Sequence, residues 1–124
     1  GGFMRYEIRV RKNGNIVCHC NIAKSFFSRG LGLMFKWAMP KDEGLLIEFP
    51  SWSSSRAVHG FFMRFPIDLI FIDKDLKVVD VGILKPWRLY NPKVNCKWVS
   101  EVNQGIAEDK DVRVGDELEF KEIE

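Results

Sequence analysis

The sequence predicts a mainly β protein, a single-domain antiparallel β sandwich or barrel decorated with two short helices. Three observations carry that reading. About seven short runs either alternate apolar and polar residues or are apolar throughout, and turn residues bound each of them. No helical period is long enough to bridge two parallel strands, so sequential strands are expected to pair antiparallel. A length of 124 residues suits one hydrophobic core, and a chain 46% hydrophobic and 29% charged is globular rather than disordered. The domain is placed at residues 4–124, with Gly1, Gly2 and Phe3 read as an expression remnant ahead of Met4.

From Met4 to Arg11 apolar and charged residues alternate without a fault, the pattern of a half-buried strand. A second strand over 16–22 follows Lys12-Asn13-Gly14-Asn15. A two-residue Asn-Gly turn would leave Ile16, Cys18 and Cys20 on the charged face. A three-residue loop with Gly14 left-handed instead pairs Val10 with Ile16, Ile8 with Cys18 and Tyr6 with Cys20. "KSFFSRGLGLMF" reads as a short helix with Ser25 at its N-cap, ending near Gly30 or Gly32. A linker through Trp37 and Pro40 leads to "GLLIEFP", a short strand closed by Pro50. "SWSSSRAVHG" is a polar loop. Phe61–Met63 and Ile67–Ile72 read as strands broken at Pro66, which cannot donate to a central ladder and so implies an edge or a bulge. Asp73 to Leu76 turns into the strand "KVVDVGIL", and "KPWRLYNP" with its two prolines is loop. Cys96 to Val102 alternates as a strand with Trp98 in the core. Asn103 caps a short helix in "NQGIAEDKD", and "DELEFKEI" is the final strand.

The blocks "SRGLGLMF", "EGLLIEFP", "FFMRFPIDLIFIDKDLKVV", "KPW" and "RVGDELEF", in this order and spacing, resemble the ancient-conserved-region family known as domain of unknown function 192. The resemblance spans about residues 24–120. It implies a compact, jelly-roll-like β fold and no established reaction, cofactor or partner. Two positions depart from the family pattern. Asp75-Leu76 stands where the family usually has Asp-Gly, and Phe61-Phe62-Met63-Arg64 stands where many members have Phe-Trp-Met-Lys.

A formal charge of +2 is too small to argue for nucleic acid, but its distribution is uneven. Residues 101–124 hold 3 of the 19 Lys/Arg and 9 of the 17 Asp/Glu, so a basic body is expected to pair with an acidic C-terminal quarter. No run reaches the ~18–20 apolar residues that span a bilayer, and the start has no signal-peptide core, so no membrane partner is expected. Three cysteines cannot all pair within one chain, which points to a reducing compartment, the cytoplasm.

Several constellations invite chemistry. "CHC" at 18–20 offers metal ligands, but strand geometry sends Cys18 and Cys20 to one face and His19 to the other, and a closed site needs about four donors. The two cysteines read as core residues; no metal or cofactor is expected. None of Cys18, Cys20 and Cys96 has the exposed, electropositive setting of a nucleophile. Asp68 lies on a strand apolar on both faces, where an unpaired carboxylate would cost several kcal/mol. It must therefore find a cation, backbone N–H groups or a proton, with Arg64, Arg29 and Lys85 as cation partners. Residues 81–100 place Lys85, Arg88, Lys93 and Lys97 among Trp87, Tyr90 and Trp98 with no acidic residue after Asp80. That loop reads as a solvated basic segment facing the acidic C-terminal strand.

The leading expectation is a non-catalytic module that binds a small anionic or polar ligand. Its pocket would be built from "SWSSSRAVHG", the 59–68 stretch and "KPWRLYNP". Trp52 and Trp87 would give apolar contact; Arg64, His59 and Arg29 would orient the ligand over Asp68, with Arg64 making the bidentate contact. The alternatives are a hydrolase using Asp68 with His59 and single-strand nucleic-acid binding through residues 85–98. The sequence does not fix the oligomeric state.

Overall fold

The computed structural model describes residues 5–23 and 39–123. The helix read over 25–32, Arg29 and the linker at Trp37 lie outside the described residues. Among the described residues there are nine strands: β1 (Arg5–Val10), β2 (Ile16–Ala23), β3 (Glu43–Glu48), β4 (Val58–His59), β5 (Ile67–Ile72), β6 (Val78–Leu84), β7 (Leu89–Tyr90), β8 (Trp98–Asn103) and β9 (Leu118–Glu122). One short helix, α1 (Ile106–Asp109), follows β8. Seven strands form one sheet in the order β6-β5-β8-β3-β2-β1-β9, and β4 pairs with β7 as a separate two-residue ribbon.

The sheet curls until its edges approach one another. Lys77 bridges Glu117. Val78 N–H donates to Asp116 O at 2.8 Å and Leu118 N–H to Leu76 O at 2.8 Å. The result is a mainly β half-barrel. Every pairing in the sheet is antiparallel except β2 with β3, which is parallel. That exception was not legible, because the chain that carries β2 back to β3 shows no long helical period.

Two apolar cores lie on opposite faces. Ile8, Val10, Val17, Cys18, Cys20, Leu46, Ile70, Ile72 and Val102 fill the enclosed face. Ile67, Leu69, Phe71, Leu84 and Val99 form the outer face, covered by Phe49, Val58, Met63 and Cys96. β5 has a partner on each side and a core on each face, which is why all six of its residues are buried and its sequence is apolar throughout. Pro66 therefore does not mark an edge or a bulge. It stands just before β5, where the strand has yet to claim its first ladder bond. Phe61 to Met63 is likewise a turn rather than a strand, with Phe62 left-handed at φ 63°.

In the first hairpin Gly14 is left-handed as expected, at φ 72°, and Tyr6 pairs with Cys20 and Ile8 with Cys18. The loop, however, is four residues, 11–14, rather than three: Val10 N–H donates to Asn15 O at 2.9 Å and Gly14 N–H to Val10 O at 2.8 Å. Ile16 lies opposite Arg9, not Val10, because the register shifts between Ile8 and Arg9. The shift turns Val17 into the core at 2% exposure and leaves Ile16 exposed at 36%. At the Asp73–Leu76 turn, Leu76 adopts φ 63°. Asp73 Oδ1 steadies it by accepting from the N–H groups of Asp75 and Lys77, each at 2.9 Å.

The acidic C-terminal quarter pairs with the first hairpin, not with the 81–100 loop. Arg11 contacts Glu117 at 2.7 Å and Glu119 at 3.5 Å, and Lys12 contacts Asp111 at 3.3 Å and Asp116 at 3.0 Å. The physical reason is topological: β9 adds to β1, so the hairpin's cations meet the carboxylates beside that seam.

A Cβ at Gly14 would meet nothing within 4 Å, so Gly14→Ala isolates the backbone cost of a left-handed residue. Urea unfolding is expected to show a loss of about 1 kcal/mol with an unchanged m-value.

Candidate functional site

The β4–β7 ribbon positions the loops that carry the sequence's chemistry. Val58 pairs with Tyr90 and His59 with Leu89. Tyr90 is the anchor: its ring stacks on Phe71 with centroids 5.5 Å apart, over Gly82. A Cβ at Gly82 would stand 2.3 Å from that ring, so only glycine leaves room for it. The Tyr90 hydroxyl donates to Asp80 Oδ2 at 3.0 Å, and Lys93 N–H donates to the same oxygen at 3.1 Å. Val81 N–H satisfies Oδ1 at 2.9 Å. Asp80 is thus buried at 2% exposure yet fully engaged. Burial, with the neighbouring Asp80 carboxylate, holds the Tyr90 phenol above its ordinary value.

At one end of the ribbon lie two adjoining clefts that share Ser51, Trp52, Arg56 and Asn95. The first, of about 730 Å³, is lined by residues 51–56 and 91–95, and the second, of about 760 Å³, adds Glu48, Phe49 and residues 73–75 to Pro50, Cys96 and Lys97. Arg56 builds this end. Its Nε donates to Cys96 O at 2.6 Å, and its Nη1 donates to Ser53 O at 2.6 Å and Ser55 O at 3.0 Å. Its guanidinium also lies 5.1 Å from the Phe49 ring centroid. The serine-rich loop is therefore fastened from within, while the Trp52 indole stands 81% exposed. Lys93 and Asn91 border the first cleft, which no carboxylate lines, whereas Lys74 and Lys97 share the second with Glu48, Asp73 and Asp75. An aromatic face beside amides, hydroxyls and an ammonium can stack a planar or sugar-like body and neutralise an anionic group on it.

The other end of the ribbon is aromatic. Gly60 N–H donates to Arg88 O at 2.8 Å and Trp87 N–H to Gly60 O at 2.7 Å, tying two turns together. His59 stacks on Phe61 at 4.9 Å and accepts from the Phe61 N–H through Nδ1 at 3.2 Å. Phe62 meets Trp87 edge-on at 4.7 Å.

Asp68 belongs to neither end. It alternates with Ile70 and Ile72, so it faces the enclosed side, where Oδ2 accepts from Gly105 N–H and Ala107 N–H, each at 3.0 Å. Asp68 therefore caps α1, the role expected of Asn103, whose amide instead donates to Met39 O and Pro40 O at 3.2 Å. Burial pushes the Asp68 carboxyl upward against those two amides, and the charge of Glu108 adds to the rise.

The single pocket expected from the sequence is therefore divided. Trp52 lines the polar clefts. His59 and Trp87 sit at the opposite end of the ribbon. Arg64 is exposed on the segment before Pro66 and lines neither cleft. Asp68 is across the sheet from His59, so the two do not form a hydrolytic pair; the parity of β5 and the packing of β4 on the outer face separate them. Arg29 is outside the described residues. Cys18 and Cys20 are buried in the enclosed core and Cys96 in the outer one. Burial pushes the Cys96 thiol up to about 11, and the adjacent Cys18 together with burial drives Cys20 upward. Cys18 is instead held below its ordinary value by hydrogen bonding with Cys20 and Ser100, but all three thiols are buried, away from the exposed setting a nucleophile needs.

Sequence reasoning passed over Arg56, Asp80 and Glu101, and saw Tyr90 only as one aromatic of a basic loop rather than as the ribbon's anchor. Glu101 is 5% exposed on β8 between Leu45 and Leu69, with no partner for its carboxylate among the described residues. Burial pushes it up to about 7. The signal was present: it sits two residues from Val99, in phase with the outer core.

Fold and site together define a curled β-sheet protein bearing a loop-built cleft, with no recognisable catalytic constellation among the described residues. The chain belongs to the family of uncharacterised ancient conserved regions, domain of unknown function 192, whose sequence profile matches residues 8–120. A UPF0127 protein of Pyrococcus furiosus is 38% identical over 116 residues, covering 94% of this chain and 98% of that protein. A UPF0127 protein of Pyrococcus horikoshii is 40% identical over 99 residues, covering 80% and 84%. The same fold occurs in a Sinorhizobium meliloti protein whose description proposes a transcription regulator (TM-score 0.79, 23% identity, 96% of this chain and 94% of that one). It occurs again in a Novosphingobium aromaticivorans protein of unknown function (TM-score 0.80, 18% identity, 94% and 84%).

Gly82→Ala is expected to displace Tyr90 and lower stability by roughly 1–3 kcal/mol in denaturant unfolding, with loss of the Tyr90–Phe71 contact in NMR spectra. Glu101 gives a pH signature. Its folded value lies above the ordinary 4.5, so the native state binds the extra proton between those values. Stability is expected to be highest below about pH 4.5 with respect to this group and to fall as pH rises through 7. Glu101→Gln removes that penalty: thermal melts should show the variant gaining over the native protein at pH 8, by up to roughly 3 kcal/mol, and matching it near pH 4.5.

Proposed function

We propose that the protein is a non-catalytic module that binds a small anionic or polar ligand in the first cleft, between residues 51–56 and 91–95. The observation that carries this reading is Trp52, an indole left 81% exposed on a loop that Arg56 fastens through three carbonyl contacts. A large aromatic surface on a pre-organised polar loop costs little to order on binding. Lys93 supplies the cation at the first cleft, the part that sequence reasoning gave to Arg64. Its backbone is fixed by Asp80, so its ammonium starts from a defined point.

The other readings find less support. A hydrolase using Asp68 and His59 lacks their convergence. Single-strand binding through residues 85–98 wants consecutive stacking platforms. Trp98 is instead half-buried, edge-on to Phe120 at 5.3 Å with Lys97 above it at 4.6 Å. A cytoplasmic setting accords with three free, buried cysteines. No helix among the described residues is long and apolar enough to cross a membrane.

A thermal-shift screen of free sugars, sugar phosphates and short carboxylates is expected to return stabilising compounds. Trp52→Ala should weaken the best of them about tenfold to hundredfold while leaving the unliganded melting temperature unchanged. Binding by the native protein that Trp52→Ala leaves intact would remove the cleft as the site.

A further inference from the structure

The aromatic end of the ribbon has no part in the cleft reading and is built differently. Phe61 is 42% exposed, Trp87 56% and Leu89 60%, an exposed apolar group carried on two turns and the first residue of β7. Phe62 and Trp87 hold left-handed backbones at φ 63° and 65°, conformations that bulky L-residues avoid. The two turns are locked to each other through Gly60, Trp87 and Arg88. Such geometry keeps the rings outward when collapse onto the sheet would bury them, and strain of this kind gathers where a protein meets a partner.

The surround is basic. Lys85 and Arg88 are exposed beside Trp87, and neither enters an ion pair among the described residues. Arg64 is exposed on the neighbouring segment. Residues 59–67 and 81–98 contain no Asp or Glu. Amphipathic aromatic rings flanked by cations match the interface of an anionic lipid bilayer, where rings enter the headgroup layer and cations meet lipid phosphates. We propose that this tip is an interfacial contact for an anionic membrane surface. Exposed rings set among cations in segments free of carboxylates favour an anionic lipid layer over a folded protein. Lack of a spanning run does not bear on it, because such a contact lies in the interface plane.

The test is co-sedimentation of the full chain with vesicles of phosphatidylcholine alone and of phosphatidylcholine mixed with phosphatidylglycerol. The expected result is binding to the mixed vesicles, weakened by added salt, with a blue shift of tryptophan emission. Phe61→Ser and Trp87→Ser should each reduce partitioning about tenfold, and Lys85→Glu with Arg88→Glu should abolish it. Should Trp87→Ser fail to fold, quenching of the native protein's tryptophan emission by brominated lipid decides the matter. Absence of binding, binding that survives both Trp87→Ser and the charge reversals, or absence of quenching would overturn the proposal. So would a dimer that Trp87→Ser dissolves, which would assign the tip to self-association.

Discussion

A carboxylate sealed inside the fold, that of Asp80, ties the β4–β7 ribbon to the seven-stranded sheet. Its two oxygens take the Tyr90 hydroxyl and the N–H groups of Lys93 and Val81, so one side chain joins β6, β7 and the loop after β7. Packing alone would leave the ribbon free to slide, since two residues per strand give few ladder bonds and an isolated two-stranded unit is marginal in water. The Asp80 contacts, with Tyr90 seated on Gly82 and Phe71, remove that freedom. Each end of the ribbon then presents its loops at a fixed place. One end is polar and concave around Trp52, and the other is aromatic and exposed around Trp87.

Asp68 is the counterpart on the enclosed side. Its oxygen closes two open N–H groups at the start of α1 and so fastens the helix to the middle of the sheet. Two buried aspartates thus hold the two decorations of the half-barrel, one on each face. This explains how an apolar strand carries an acidic residue with no cation beside it among the described residues: main-chain amides at a helix start supply the compensation.

Much of the fold was legible because its strands obey simple periodicities. The faultless alternation of residues 4–11 and the unbroken apolar run of 67–72 each declare a strand, half-buried in the first case and doubly covered in the second. The pairing of Tyr6 with Cys20 and Ile8 with Cys18 followed from asking which register keeps cysteines inward, while the loop itself came out one residue longer than that register implied. What escaped were effects of one residue's displacement: the register shift that exchanges Ile16 for Val17, and the turn at Phe62 where an apolar run suggested a strand. The site was less legible. Sequence proximity put His59, Arg64 and Asp68 together, yet the parity of β5 sends Asp68 through the sheet and a two-residue ribbon separates Trp52 from Trp87. Asp80 was hidden because "KVVDVGIL" reads as a strand whichever face the aspartate takes, and only the long-range arrival of Tyr90 gives it a role.

The most direct measurement of the ribbon's dependence on Asp80 is amide hydrogen exchange in the native protein and in Asp80→Ala. If the carboxylate holds the ribbon as a unit, the N–H groups of Lys93 at one end and of Gly60 and Trp87 at the other should lose protection together, while those of β1, β2 and β8 keep theirs. Loss confined to Lys93, with Gly60 and Trp87 still protected, would contradict the account and leave the two ends as independent loops.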